Sequence, residues 1–254
     1  MALFTDGPIS SIDDLCARDS QLLSVASSEG IDVTQKIWLA QEEIGLELKT
    51  LLDSLSSTGG PLWVATQNVG NVVVTPALKL WHGLRSLDLV YGDAFNSQLN
   101  DRYAGKRDQF HAMAAWAYER LVDTGIGITN CPVSKAAMPT VTMSVGEAVP
   151  DGTYYVTTSW INSRGEEGVC ADPTTIATAG CTFVVQPASA PPNASGWNVY
   201  AGSGLDDLWL QNGVPLAMGT NWFQPTVLIT SGTAPSDGQS PNYVKPVPRL
   251  IQRG

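Results

Sequence analysis

The spacing of apolar residues changes period at about Lys135, so the chain cannot be built from one kind of secondary structure. From Val33, the residues Ile37, Ala40, Ile44, Leu48, Leu51 and Leu55 recur every three or four positions, which places them on one face of a helix. After Pro139 the period falls to two. Tyr154, Val156, Thr158 and Trp160 alternate with Tyr155, Thr157, Ser159 and Ile161, as in a strand with two distinct faces. With 254 residues, each half is long enough to bury its own core. We therefore expect an α+β multidomain protein. A bundle of about four helices spans residues 1–135, a β-sandwich of immunoglobulin or fibronectin type spans 136–238, and an extended basic arm spans 239–254.

Local signals divide the first half. Ser11 with Asp13 and Asp14 starts a helix that runs to Ser28, where Glu29-Gly30 stops it. Asp32 and Gln35 cap the next, whose stripe begins at Val33; Trp38, Leu39 and Leu46 fall off that stripe and need a second partner, either another helix or a neighbouring subunit. Ser56 to Pro61 reads as a turn, and Leu62 to Thr75 as an extended connection. Pro76 occupies the first position of a third helix, with Leu80, Leu84, Leu87, Tyr91, Phe95 and Leu99 inward. A fourth runs from Asp101 to Val122, with Tyr103, Phe110, Met113, Ala117 and Leu121 inward and Gly125 and Gly127 ending it. In the second half, strands are expected near 154–161, 181–185, 197–200, 208–211 and 220–223, with Asn162 to Gly165 as a hairpin turn. Pro241, Pro246 and Pro248 keep the last stretch out of helices and central strands.

Composition removes several classes of function. No run approaches the roughly 20 apolar residues that span a bilayer, so a soluble, folded chain without membrane partners is expected. Met1 to Ser10 lacks a basic region and apolar stretch, and we read no secretion signal there. Residues 1–135 carry 16 acids against 10 bases, residues 136–238 carry 8 against 1, and the last 16 residues carry Lys245, Arg249 and Arg253 with no acid. A body this acidic disfavours tight phosphate binding yet suits a wall past which DNA slides without sticking. Cys16, Cys131, Cys170 and Cys181 are far apart, without CxxC spacing, and read as reduced thiols; whether Cys170 and Cys181 approach between strands cannot be settled by spacing. Asn193-Ala194-Ser195 matches a glycosylation acceptor by chance.

The search for chemistry yields no constellation. His82 and His111 each lack an acid or cysteine at catalytic spacing and read as packing or surface histidines. Adjacent carboxylates such as Glu166-Glu167 and Asp206-Asp207 point apart, so they make poor acid/base pairs. Ala201 to Gly204 lacks the Lys-Ser/Thr of a phosphate loop and reads as a hairpin turn. No catalytic residue, metal ligand or cofactor is assigned, and the chain is expected not to be an enzyme. Trp160, Trp197, Trp209 and Trp222 read first as core and second as a sugar-binding face.

Two stretches carry a resemblance. Asp19 to Leu23, Ser28 to Asp32 and Leu39 to Ile44, together with Lys79 to Arg85 and Tyr91 to Tyr103, resemble head-to-tail connector (adaptor) proteins of tailed bacteriophages. In the second half, Tyr154 to Gly168 is similar to the last hairpin of a fibronectin type III or immunoglobulin-like virion module, and Gly196 to Gly202 to a middle strand; the hairpin comes first here, which departs from the usual order. The resemblance implies a structural neck protein of the virion, assembled in the host cytoplasm. It would form a homo-oligomeric ring, usually twelvefold, beneath the portal, holding tail or neck proteins and leaving a channel for genomic DNA. In that setting Tyr243, Lys245, Arg249 and Arg253 are the candidate partner-docking arm. The alternative is a virion-anchored module whose β domain recognises host-surface carbohydrate.

Overall fold

A computed structural model describes residues 1–57, 66–98, 101–146, 150–225 and 227–246. It is an α+β protein with two compact units. One holds Gly7–Asn130 and the described residues from Pro241 on; the other holds Met1–Asp6 and Cys131–Ser240.

The helical unit contains α1 (Ile12–Cys16), α2 (Leu22–Glu29), α3 (Val33–Ser57), α4 (Pro76–Gln98) and α5 (Ala104–Thr124). Ser11 and Asp14 form a reciprocal capping box at α1, and Gly30 closes α2 in the left-handed conformation, φ 67°. The single first helix expected from the sequence is in fact two. Between them the Asp19 side chain accepts the Gln21 N–H at 3.1 Å, a local bond that competes with helical pairing. Asp32 caps α3 by accepting the Gln35 N–H. The α3 stripe is buried as expected from Val33 to Leu48 and at Leu55, with Leu52 buried more deeply than Leu51. A 3.6-residue helix drifts relative to a regular apolar repeat, which moves the contact by one position.

Helix α4 packs against α1, α2, α3 and α5, so it is buried on more than one side. Leu78, Trp81, Leu84, Leu87, Val90, Tyr91 and Ala94 are buried, while the expected Leu80 and Phe95 are half-exposed; Leu99 lies outside the described residues. On α5, Phe110, Ala117 and Leu121 face inward, but Met113 is exposed and Ala114 takes its place. After α5, β1 (Ile126–Ile128) pairs antiparallel with β10 (Asn242–Val244) and bridges to Val72. A Cβ at Gly127 would lie 2.6 Å from Thr75 Cγ2 and 2.8 Å from Pro241 Cβ, so only glycine permits this approach.

The second unit contains β2 (Thr140–Ser144), β3 (Gly152–Asn162), β4 (Thr174–Thr178), β5 (Thr182–Gln186), β6 (Ala194–Gly202), β7 (Trp209–Leu210), β8 (Leu216–Ala217) and β9 (Trp222–Phe223). All pairings are antiparallel: β2-β5-β9 form one sheet and β4-β3-β6-β7 another, with β8 also on β6. Residues from both sheets enter one hydrophobic cluster, centred on Val156, Trp160, Phe183, Val185, Trp197 and Trp222. The rings of Tyr154, Phe183 and Trp222 follow one another at 5.9 and 6.0 Å. Leu3 and Phe4 are buried, and Asp6 accepts the Lys135 N–H at 2.8 Å.

Candidate functional site

Polar side chains organise the helical unit. Asp19 is buried and accepts bonds from the Tyr91 hydroxyl at 2.5 Å and the Lys106 ammonium at 2.9 Å. Burial alone would raise the Asp19 pKa, but these donors outweigh it and hold the carboxyl below its usual value. Glu29 likewise accepts from Ser97 and Tyr103. Asp19 and Glu29 thereby tie the segment that holds α2 to α4 and to Tyr103 just before α5. His82 is fully buried on α4. Its Nε2–H donates to the Ile37 carbonyl at 3.1 Å and its Nδ1 accepts from Ser10 Oγ at 2.9 Å, the tautomer that satisfies both partners. Burial lowers its pKa to about 4. His111 is exposed, 3.3 Å from the Asp88 carboxylate.

A groove of about 640 Å³ opens between α3 and α5 above α4. Trp81, Ile44, Leu46, Ala114, Ala115 and Tyr118 line it, with Trp81 and Tyr118 rings 5.1 Å apart. Glu43, Glu47 and Asp88 stand around these apolar walls, and Arg85 links Glu43 to Asp88 at 2.7 and 2.5 Å. The off-stripe residues of α3 are exposed, Leu46 at 69% and Trp38 at 45%, and on α5 Trp116 is exposed at 50%. The candidate arm begins inside the fold: Tyr243 stands opposite Gly127 in the β1–β10 pair with half its surface exposed, and the Lys245 chain passes Gly125. Arg249 and Arg253 lie outside the described residues.

In the β unit, three of the four tryptophans belong to the core; Trp209 does not. It lines a cleft of about 480 Å³ with Tyr154, Ser203, Asp207, Ile229 and Thr230. The β6–β7 hairpin positions Trp209 opposite Ala201. At Gly202 a Cβ would sit 1.9 Å from the Asp207 carbonyl oxygen, so glycine lets the loop fold back and bring Asp207 to the rim. Gln211 fixes the far wall. Its buried amide donates to the carbonyls of Ala201, Trp209 and Ile229 and accepts the Ile229 N–H at 2.9 Å.

The other face of β3 and β6 is polar. Glu167 accepts from Ser159, from Asn198 at 3.2 Å and from Tyr200 at 2.6 Å. Burial and this carboxylate push the Cys170 thiol up to about 12, far from nucleophilic at neutral pH. All four cysteines are unbridged. Among the described residues no helix is long and apolar enough to cross a membrane, and no three His, Cys, Asp or Glu side chains converge as a metal site. The sequence indicated the exposed α3 residues and included Trp209 among four tryptophans; it missed the groove and the Gln211 clamp, which join residues distant in the chain. No model of a known protein family matches the chain, and neither a curated protein nor a solved structure matches it.

Proposed function

We propose that this chain is a non-enzymatic head-to-tail adaptor of a tailed bacteriophage, a homo-oligomeric ring in the virion neck that joins portal to tail. The observation that carries this reading is the apolar groove between α3 and α5, at whose wall Leu46 is 69% exposed. A groove walled by Trp81, Tyr118, Ile44 and an exposed leucine marks an association surface. A second copy of the chain is the occupant that fits. In the groove Arg85 already pairs with Glu43 and Asp88, which leaves Glu47 as the carboxylate that the chain's own basic run of Lys245, Arg249 and Arg253 complements. A heterologous contact of this kind, one surface against a different one, builds a ring when the rotation it imposes closes.

The net charge of -10 supports a passage in which DNA is repelled from the walls. We read the β unit as an accessory sandwich of immunoglobulin or fibronectin type, because both of its sheets supply the same core. The test is co-sedimentation with portal particles: the adaptor reading predicts stoichiometric retention on portal, and absence of binding at micromolar concentration contradicts it.

A further inference from the structure

We infer that the cleft beside Trp209 is a binding site for a neutral saccharide, independent of whether the chain forms rings. Its walls join two kinds of group that a pyranose requires together. Trp209, Tyr154 and Ile229 supply apolar surface against which the C–H face of a sugar ring can stack, and Asp207, Ser203 and Thr230 supply polar atoms around it. Among the described residues, no protein group hydrogen-bonds the Asp207 carboxylate, the Trp209 Nε1–H or the Ser203 and Thr230 hydroxyls. By contrast, the core Trp197 uses its Nε1–H on the Ala217 carbonyl at 3.1 Å. The cleft thus keeps both an acceptor and donors unused next to an aromatic wall, the complement of a polyhydroxylated ligand.

Size and charge narrow the class further. A volume of about 480 Å³ falls within the roughly 300–1,000 Å³ of small-molecule clefts. Asp207 lies beside Asp206, and Arg164 is the sole basic residue between positions 136 and 238, so anionic sugars and phosphates are disfavoured. The site is also held rigid. The buried Gln211 amide ties the wall at Ile229 to the strand bearing Trp209, so the two surfaces stay at a fixed separation without a ligand.

The test uses the full chain and saturation-transfer NMR with the methyl pyranosides of glucose, galactose, mannose and N-acetylglucosamine, and with sialyllactose as the anionic probe. The expected result is transfer to the ring C–H protons of at least one neutral glycoside, abolished in Trp209→Ala and at least tenfold weaker in Asp207→Asn. Leu23→Ala, at an exposed position on α2, retains binding. Because Asp207 is exposed, its variant keeps the inference testable if Trp209→Ala fails to fold. Silence with all four neutral glycosides, preference for sialyllactose, or equal transfer in Asp207→Asn and the parent chain overturns the inference. Ring assembly, measured separately, is unaffected by either outcome.

Discussion

At neutral pH the imidazole of His82 is uncharged, because protonating it would place a cation in a fully buried position between helices. The folded value of about 4 lies below the ordinary 6.5, so the unfolded chain takes up a proton that the native chain refuses. Stability from this residue is therefore complete above about pH 6.5 and declines as pH falls through 4. Between pH 7 and pH 5 the parent chain should lose about 2 kcal/mol more than His82→Gln in urea titrations. A second residue-scale expectation concerns Tyr91. Tyr91→Phe leaves the buried Asp19 carboxylate one donor short while keeping the ring stacked on Phe110, and should cost about 1–3 kcal/mol by the same titration. An unchanged midpoint would mean that Lys106 alone suffices.

Helices were legible because their signals are local: the three-four spacing of α3, Pro76 at the start of α4 and Gly125 after α5 all act within a few residues. The break between α1 and α2 was not, since the Asp19 side chain that occupies it is held by residues 72 and 87 positions away. Met113 and Ala114 lie three and four residues after Phe110, so helical spacing admits either on the buried side, and the structure buries Ala114 with Phe110, Ala117 and Leu121. Strand β2 escaped notice because its alternation of Val141 and Met143 with Thr140, Thr142 and Ser144 covers only five residues, and β10 because its partner β1 lies over a hundred residues earlier. Nor does sequence spacing separate Trp209 from three tryptophans that fill the core. At this scale the decisive substitution is Leu46→Glu. The side chain is 69% exposed, so monomer stability should change by no more than about 0.5 kcal/mol, whereas any association through α3 should be lost. Parallel loss of folding would show that Leu46 packs within its own unit.

At the scale of the whole molecule, the change of period near Lys135 corresponds to two units with separate chemistry. One carries an apolar groove with acidic residues around it, and the other a shared two-sheet core with a cleft beside Trp209. Both ends of the chain cross that division in sequence: Met1–Asp6 belongs with the β unit and Asn242–Val244 with the helices. Removing either end would therefore disturb the unit that it completes, and experiments are best made on the full chain. The central claim is that the exposed face of α3 and α5 is a subunit interface. Native mass measurement of the full chain, alone and on portal particles, tests it most directly. The account predicts a closed oligomer in at least one of these conditions, reduced to monomer by Leu46→Glu with folding intact; a folded parent chain that stays monomeric in both would contradict it.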